Sequence, residues 1–370
     1  RSGSIRMDSF KMKKGDFKYE DRQKLDESCW ETFQKGELWG GRDLHYWFAF
    51  SFEVPEELDN KAIALELSTG REHDWDATNP QFLAYINGKL IQGLDVNHRE
   101  IILSHHAVKG ENYSIDLKAY SGMKEGPAGL DCRISAVEAE VEKLYYDIEV
   151  PYNVAMLLDK DDKRRIDILR YLNDCVNRID FRKPLSEDFR ISVAEASRFL
   201  DEEFYKGFCG HENITAFCAG HTHIDVAWLW TVAQTREKAA RSFSTVLSLM
   251  KEYPEYIFMS SQPQLYKFVK EDYPGLYEEI KRRIAEGRWE PEGAMWLEAD
   301  CNLTSGESLV RQLLFGARFF EKEFGIKNRV LWLPDVFGYS AALPQILKKS
   351  GIDYFITTKI SWNEYNKLPC

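Results

Sequence analysis

Two periodicities divide the chain. Tyr46, Phe48, Phe50, Phe52 and Val54 alternate with Trp47, Ala49, Ser51 and Glu53, the period of a half-buried strand. Residues 63–67 give a second strand. A hairpin is predicted from 82–86, Asn87-Gly88 and 89–91, because Asn-Gly suits a type I′ turn. Further short strands fall near 100–103, 113–117 and 133–141. Short strands between turn signals predict a β-sandwich over residues 1–150. From 151 the period changes. Leu157, Leu158, Ile166, Ile168, Leu169, Leu172 and Val176 recur near helical spacing among charges, and 192–208 has the same character. Residues 151–210 are expected to be a helical connector that packs one domain onto the next.

Beyond 210 the pattern alternates. Apolar strand-like runs at 214–219, 256–260, within 287–291, at 330–333 and at 354–357 are separated by helical stretches at 232–251, 265–286, 307–324 and 343–349. Pro274-Gly275 breaks the second of these helices. Strict alternation predicts a parallel sheet with right-handed crossovers.

Composition narrows the classes of function. With 49 basic and 60 acidic residues the net charge is −11, which excludes a generic nucleic-acid binder and an anionic membrane surface as partner. No apolar run approaches the ~18–20 residues of a membrane span. The seven cysteines are odd in number, irregularly spaced and without a CxxC pair, which fits a reduced, cytoplasmic protein. The first residues carry no apolar signal region. With Arg1 where an initiator Met would stand, the true start is expected upstream. The sequons at Asn112, Asn213 and Asn302 are read as chance. No Walker loop, GxGxxG or GxSxG motif is present.

In parallel sheets the chemistry sits where strands end. After 214–219 comes Gly220-His221-Thr222-His223-Ile224-Asp225, followed by Trp228 and Trp230. Residues two apart in an extended segment face one side, so His221, His223 and Asp225 can meet at one point. Imidazole with carboxylate suits Zn²⁺, although a lone His is most often a hydrogen-bonding residue. Local reasoning does not choose between His221 and His223. Asp335 follows the apolar strand 330–333, where a nucleophile or ligand would sit and where a helix-capping Asp is the ordinary alternative. A third strand end carries Glu290, Glu292, Glu298 and Asp300 with Trp289 and Trp296, which suits sugar hydroxyls and faces or a solvated loop over core indoles.

The block 220–230 and the block Trp332-Leu333-Pro334-Asp335-Val336-Phe337-Gly338-Tyr339-Ser340 through Ile346 resemble the two signature blocks of the glycoside hydrolase family 38 α-mannosidases. Ser261-Gln262-Pro263-Gln264-Leu265-Tyr266 and 292–303 look familial too. The resemblance is to the cytosolic/vacuolar and bacterial branch, detailed from about 211 onward and looser over 40–150. It implies a multi-domain fold in which 211–370 is the N-terminal part of a (β/α) barrel, still incomplete because five strands do not close it.

It also implies a retaining exo-α-mannosidase acting on mannose-containing oligosaccharides, with one Zn²⁺. His223, Asp225 and Asp335 would be metal ligands, Asp335 the nucleophile, and Trp228 the stacking surface for mannose, with Glu298 and Asp300 as further substrate contacts. The family's acid/base and fourth zinc ligand are expected beyond residue 370, which lies only 35 residues past Asp335. The 370 residues are thus expected to be the N-terminal portion of a longer enzyme, inactive alone, with homo-oligomerisation left open. Rival readings are a metal-dependent polysaccharide deacetylase-like hydrolase and a non-enzymatic sugar-binding fragment.

Overall fold

The computed structural model describes residues 1–75, 79–209, 211, 214–362 and 365. Asn213 and Cys370, and Gly210 at an expected domain boundary, lie outside the described residues. Twelve strands open the chain: β1 Ser2–Arg6, β2 Ser9–Lys14, β3 Glu31–Gln34, β4 Trp39–Gly40, β5 His45–Glu53, β6 Ile63–Ser68, β7 Gln81–Ile86, β8 Lys89–Leu94, β9 Glu100–Ser104, β10 Asn112–Tyr120, β11 Pro127–Ala128 and β12 Asp131–Ala136.

Ten of them form an antiparallel sheet in the order β3-β2-β5-β10-β7-β8 and a second in the order β1-β12-β6-β9, while β4 and β11 pair with each other. Phe10, Phe48, Phe82 and Ile115 of the first share one core with Ile63, Leu65, Ile101 and Ile134 of the second, a sandwich-like arrangement. The predicted hairpin is β7–β8, and Asn87 and Gly88 both have positive φ (48° and 82°), as a type I′ turn requires.

The larger sheet departs from the half-buried expectation. Trp47 and Ala49, read as the outward face of β5, are buried with Leu83 and Tyr85 under a cover that includes Phe17, Tyr19, Ala240 and Tyr273. That cover includes residues more than 100 positions away, so no local period reveals it.

Helical structure begins earlier than expected. α1 is the single turn Tyr19–Arg22; α2 spans Ala139–Leu157, α3 Lys163–Val176 and α4 Glu187–Phe199, the last continuing into a π-helical segment Leu200–Phe208. The strand predicted to reach 141 stops at Ala136, and Pro151 lies inside α2 rather than at a helix start. Proline in a helix interior leaves the carbonyl four residues back without its N–H. Here that carbonyl is Asp147, and the Tyr205 hydroxyl of the π segment donates to it at 2.8 Å. These helices close their own core around Leu144, Ile168, Leu172, Phe189, Val193 and Phe204.

The remaining elements alternate: β13 Gly220–His221, α5 Val232–Glu252, β14 Phe258–Ser260, α6 Pro263–Asp272, α7 Pro274–Ala285, β15 Trp289–Pro291, α8 Gly306–Phe324, β16 Val330–Trp332, α9 Leu343–Lys349 and β17 Tyr354–Ile356. β13-β14-β15 and β16-β17 pair in parallel, and a parallel bridge between Gly293 and Leu331 joins the two groups. The described strands form no closed barrel. The first strand is displaced from its expected place. Residues 214–219 carry no strand, with Ile214 and Phe217 exposed, and pairing with β14 starts only at Gly220.

Helix α5 serves two cores at once. Ala239, Phe243, Val246 and Leu247 pack with Phe258 and Trp289 of the parallel sheet. Ala240 packs on the six-stranded sheet, beside a buried polar group: Lys118 Nζ lies 2.7 Å from Glu237 Oε1 and 2.8 Å from Asp16 Oδ1, and His45 Nε2 lies 3.2 Å from Glu237. Asp16, His45 and Glu237 are close enough to hold a metal ion, but the Lys118 ammonium already supplies their positive charge.

Candidate active site

Three strand ends converge on His223. The segment after β13 is pinned by Ile224, whose side chain is buried and whose carbonyl accepts from Gln262 Nε2 (2.9 Å). Gln262, at the end of β14, also receives the Glu298 backbone N–H on its Oε1 (3.3 Å). One buried amide thus ties the loop after β13 to the loop after β15. Motif inspection gave Gln262 no role, since nothing local distinguishes it from any glutamine after a strand.

Within this frame His223 Nδ1 lies 3.1 Å from Glu298 Oε1, and its Nε2 lies 3.3 Å from Asp225 Oδ1 and 3.7 Å from Asp335 Oδ2. Candidate ligand atoms of His223, Asp225 and Asp335 all lie within 4.8 Å of one another. Burial alone would lower the His223 pKa. The hydrogen bonds and charges of Asp225 and Glu298 outweigh it and push the imidazole up to about 10. The pocket therefore favours positive charge on the face that Nε2 presents.

His221 is in a different situation. Its Nδ1 donates to the Met259 carbonyl (3.0 Å) and its Nε2 accepts from Trp332 Nε1 (3.1 Å), which fixes the neutral tautomer. Burial lowers its pKa. Both nitrogens are occupied, so of the two histidines His223 is the one with a nitrogen facing the carboxylates.

Asp335 caps no helix, because α9 begins at Leu343 with Ala342 at its N-cap. The turn before it is held from the end of β17, where Thr358 Oγ1 donates to the Pro334 carbonyl (2.7 Å). Lys359 Nζ reaches Asp335 Oδ1 at 2.7 Å while lying 3.8 Å above the Trp362 ring. Lys359 is another site residue that the sequence reading missed. It carries no motif signal and is recognised only by this contact.

Glu298, expected to contact substrate, instead backs His223. Its side chain is only 6% exposed, and its Oε2 is buried without a hydrogen-bond partner among the described residues. Asp300 is not drawn into the cluster. It accepts from the N–H groups of Asn302 (2.8 Å) and Leu303 (2.7 Å) and so closes its own loop. Trp228 stands beside the cluster, 56% exposed and perpendicular to both Trp75 and Trp230.

The chemistry of the donor set and its surroundings fit a metal ion. One imidazole and two carboxylates are a borderline nitrogen–oxygen set. A carboxylate on the far ring nitrogen is the usual partner of a ligating histidine.

Comparison with known proteins agrees with this geometry. Residues 213–370 match the profile of the Glycosyl hydrolases family 38 N-terminal domain. Residues 213–370 belong to glycoside hydrolase family 38. It is 36% identical over 355 residues to Alpha-mannosidase G of Dictyostelium discoideum, covering 90% of this chain and 31% of that protein. It is 43% identical over 236 residues to human Alpha-mannosidase 2C1, covering 64% of this chain and 22% of that protein. The Alpha-mannosidase of Saccharomyces cerevisiae is 41% identical over 191 residues, which cover 49% of this chain and 18% of the yeast protein. The chain therefore spans about a third or less of these family 38 relatives. The deacetylase-like alternative gains no support. Among the described residues no helix is long and apolar enough to cross a membrane.

Proposed function

We propose that the protein carrying this chain hydrolyses terminal non-reducing α-D-mannose residues of oligosaccharides with net retention. The observation that carries the reading is the meeting of His223, Asp225 and Asp335 at parallel strand ends, backed by Glu298, within the residues that belong to family 38. The parallel strands β13 to β17 are read as strands of a (β/α) barrel, in a unit covering 211–370 that follows a β-sandwich unit whose last strand ends at Ala136 and a helical one that starts with α2 at Ala139 rather than at 151.

Bound by His223, Asp225 and Asp335, a zinc ion would supply Lewis-acid binding of two adjacent sugar hydroxyls. Glu298 holds the His223 ring so that Nε2 faces the ion site. Trp228 offers an indole face to the sugar ring. Asp335 attacks the anomeric carbon; the glycosidic C–O bond breaks, and the leaving oxygen takes a proton from a general acid outside this cluster. Water then displaces Asp335 from the glycosyl ester, and two inversions leave the configuration retained. Lys359 Nζ, 2.7 Å from Asp335 Oδ1, holds that side chain in place for the attack.

The test is trapping. The protein is incubated with an activated fluoro-mannoside and digested, and the peptides are weighed. A mannosyl adduct on the peptide containing Asp335 is expected. Turnover without any adduct would refute the covalent mechanism.

A further inference from the structure

We infer that the N-terminal β-region completes the sugar site. Trp75 and the 95–98 turn form the wall that binds the second ring of an α-mannosyl oligosaccharide, on the leaving-group side. The inference rests on the mannosidase reading above.

Three observations carry it. The cavity holding His223, Asp225 and Trp228 is lined also by Gln81, Asp95 and Asn97 from the six-stranded sheet and its β8–β9 loop. Its volume, about 310 Å³, sits at the lower end of small-molecule sites. Second, Trp75, from the loop between β6 and β7, meets Trp228 at 5.4 Å between ring centroids and 85° between planes. Both indoles remain more than half exposed, 57% and 56%. Apolar rings left open beside a polar cavity mark a binding surface, and the C–H face of a pyranose is what an indole stacks on. Third, the polar wall is rigid. Asp95 Oδ1 accepts from the N–H groups of Asn97 and His98 (2.8 Å each), and the Asp95 N–H donates to the His98 carbonyl (3.0 Å). Asn97 is thus presented from a closed turn.

The direction follows from the chemistry. An exo-acting enzyme holds the terminal sugar at the cluster, so any further ring lies on the leaving-group side. Trp75, in edge contact with Trp228, and Asn97, on the lining of the same cavity as Trp228, are the groups assigned to that ring.

The experiment compares two substrates in the whole protein. α-D-Mannosyl fluoride has no second ring; α-linked mannobiose has one. Trp75→Ala should lower kcat/KM for mannobiose about 3–10-fold, the worth of one aromatic contact, and leave the fluoride within about twofold. Asn97→Ala, on the cavity lining, should show the same split at about 3–10-fold, one hydrogen bond. Trp75→Phe should recover most of the mannobiose rate. Melting curves confirm that each variant folds, and if one does not, the other carries the test. Equal losses on both substrates, no loss on mannobiose, or wild-type protein that cleaves the fluoride alone would overturn the inference. Wild-type protein that cleaves neither would overturn the mannosidase reading itself.

Discussion

His223 Nδ1 and Glu298 Oε1 stand 3.1 Å apart across 75 residues of sequence. That contact turns an imidazole at one strand end so that its Nε2 faces Asp225 beside it and Asp335 at another strand end. Removing it frees the ring without removing a ligand. In Glu298→Ala, metal affinity is expected to fall about 10–100-fold, the usual loss when the outer partner of a ligating histidine is deleted. Competition with a chromogenic chelator measures it. Unaltered affinity would detach Glu298 from the metal site.

On the proposed mechanism, Asp335→Ala removes a nucleophile and a ligand together. The expected loss in kcat is about 10³-fold or more, with near-native melting temperature. A capping role would instead cost about 1 kcal/mol of stability and spare turnover. The start of α9 at Leu343 already separates the two. Asp335→Asn with near-normal kcat would rule out the nucleophile.

His221→Ala gives the opposite signature. The substitution removes one hydrogen-bond partner each from the Met259 carbonyl and Trp332 Nε1, both part-buried, at about 1 kcal/mol apiece. Elemental analysis should still find one metal ion per chain, while the melting temperature drops. Loss of the metal with stability intact would mean that the wrong histidine was assigned.

Much of this was legible in sequence, for local reasons. Asn87-Gly88 specifies a hairpin through its own backbone, and β15, β16 and β17 lie where short apolar runs end in turns. The i, i+2 spacing pointed to His223 beside Asp225, but the strand ends at His221, and His221, grouped with them by the same spacing, meets Met259 and Trp332 instead. What escaped was long-range. Trp47 and Ala49 look outward until Ala240 and Tyr273 cover them. Pro151 looks like a helix start until Tyr205 caps the carbonyl it leaves open. Glu298 and Asp300, two residues apart on one loop, differ only in what each meets: a buried imidazole for one, its own backbone for the other.

Acid should loosen the junction between the six-stranded sheet and α5. Burial would raise the Glu237 pKa, but His45, Lys118 and Arg241 outweigh it and hold the carboxyl at about 2, against an ordinary 4.5. A carboxyl depressed in the fold contributes stability that is present above the unfolded value. That contribution is lost as pH falls from about 4.5 toward 2. Wild type should therefore melt well above Glu237→Gln at pH 7, with the gap closing as pH falls through this window. A gap independent of pH would show that the carboxylate charge contributes nothing to the junction.

The cover over Trp47 also has a consequence in time. Tyr273 follows Trp47 by 226 residues, so at ~5–20 residues per second the ribosome takes roughly 10–45 s to deliver it. Through that interval the nascent six-stranded sheet can close its inner face against β6 and β12, while Trp47 and Tyr85 still lack the part of their cover that comes from α5 and Tyr273. Synthesis thus passes through a stage with an incompletely covered aromatic face, which a chaperone that binds apolar surface would shield until α5 arrives.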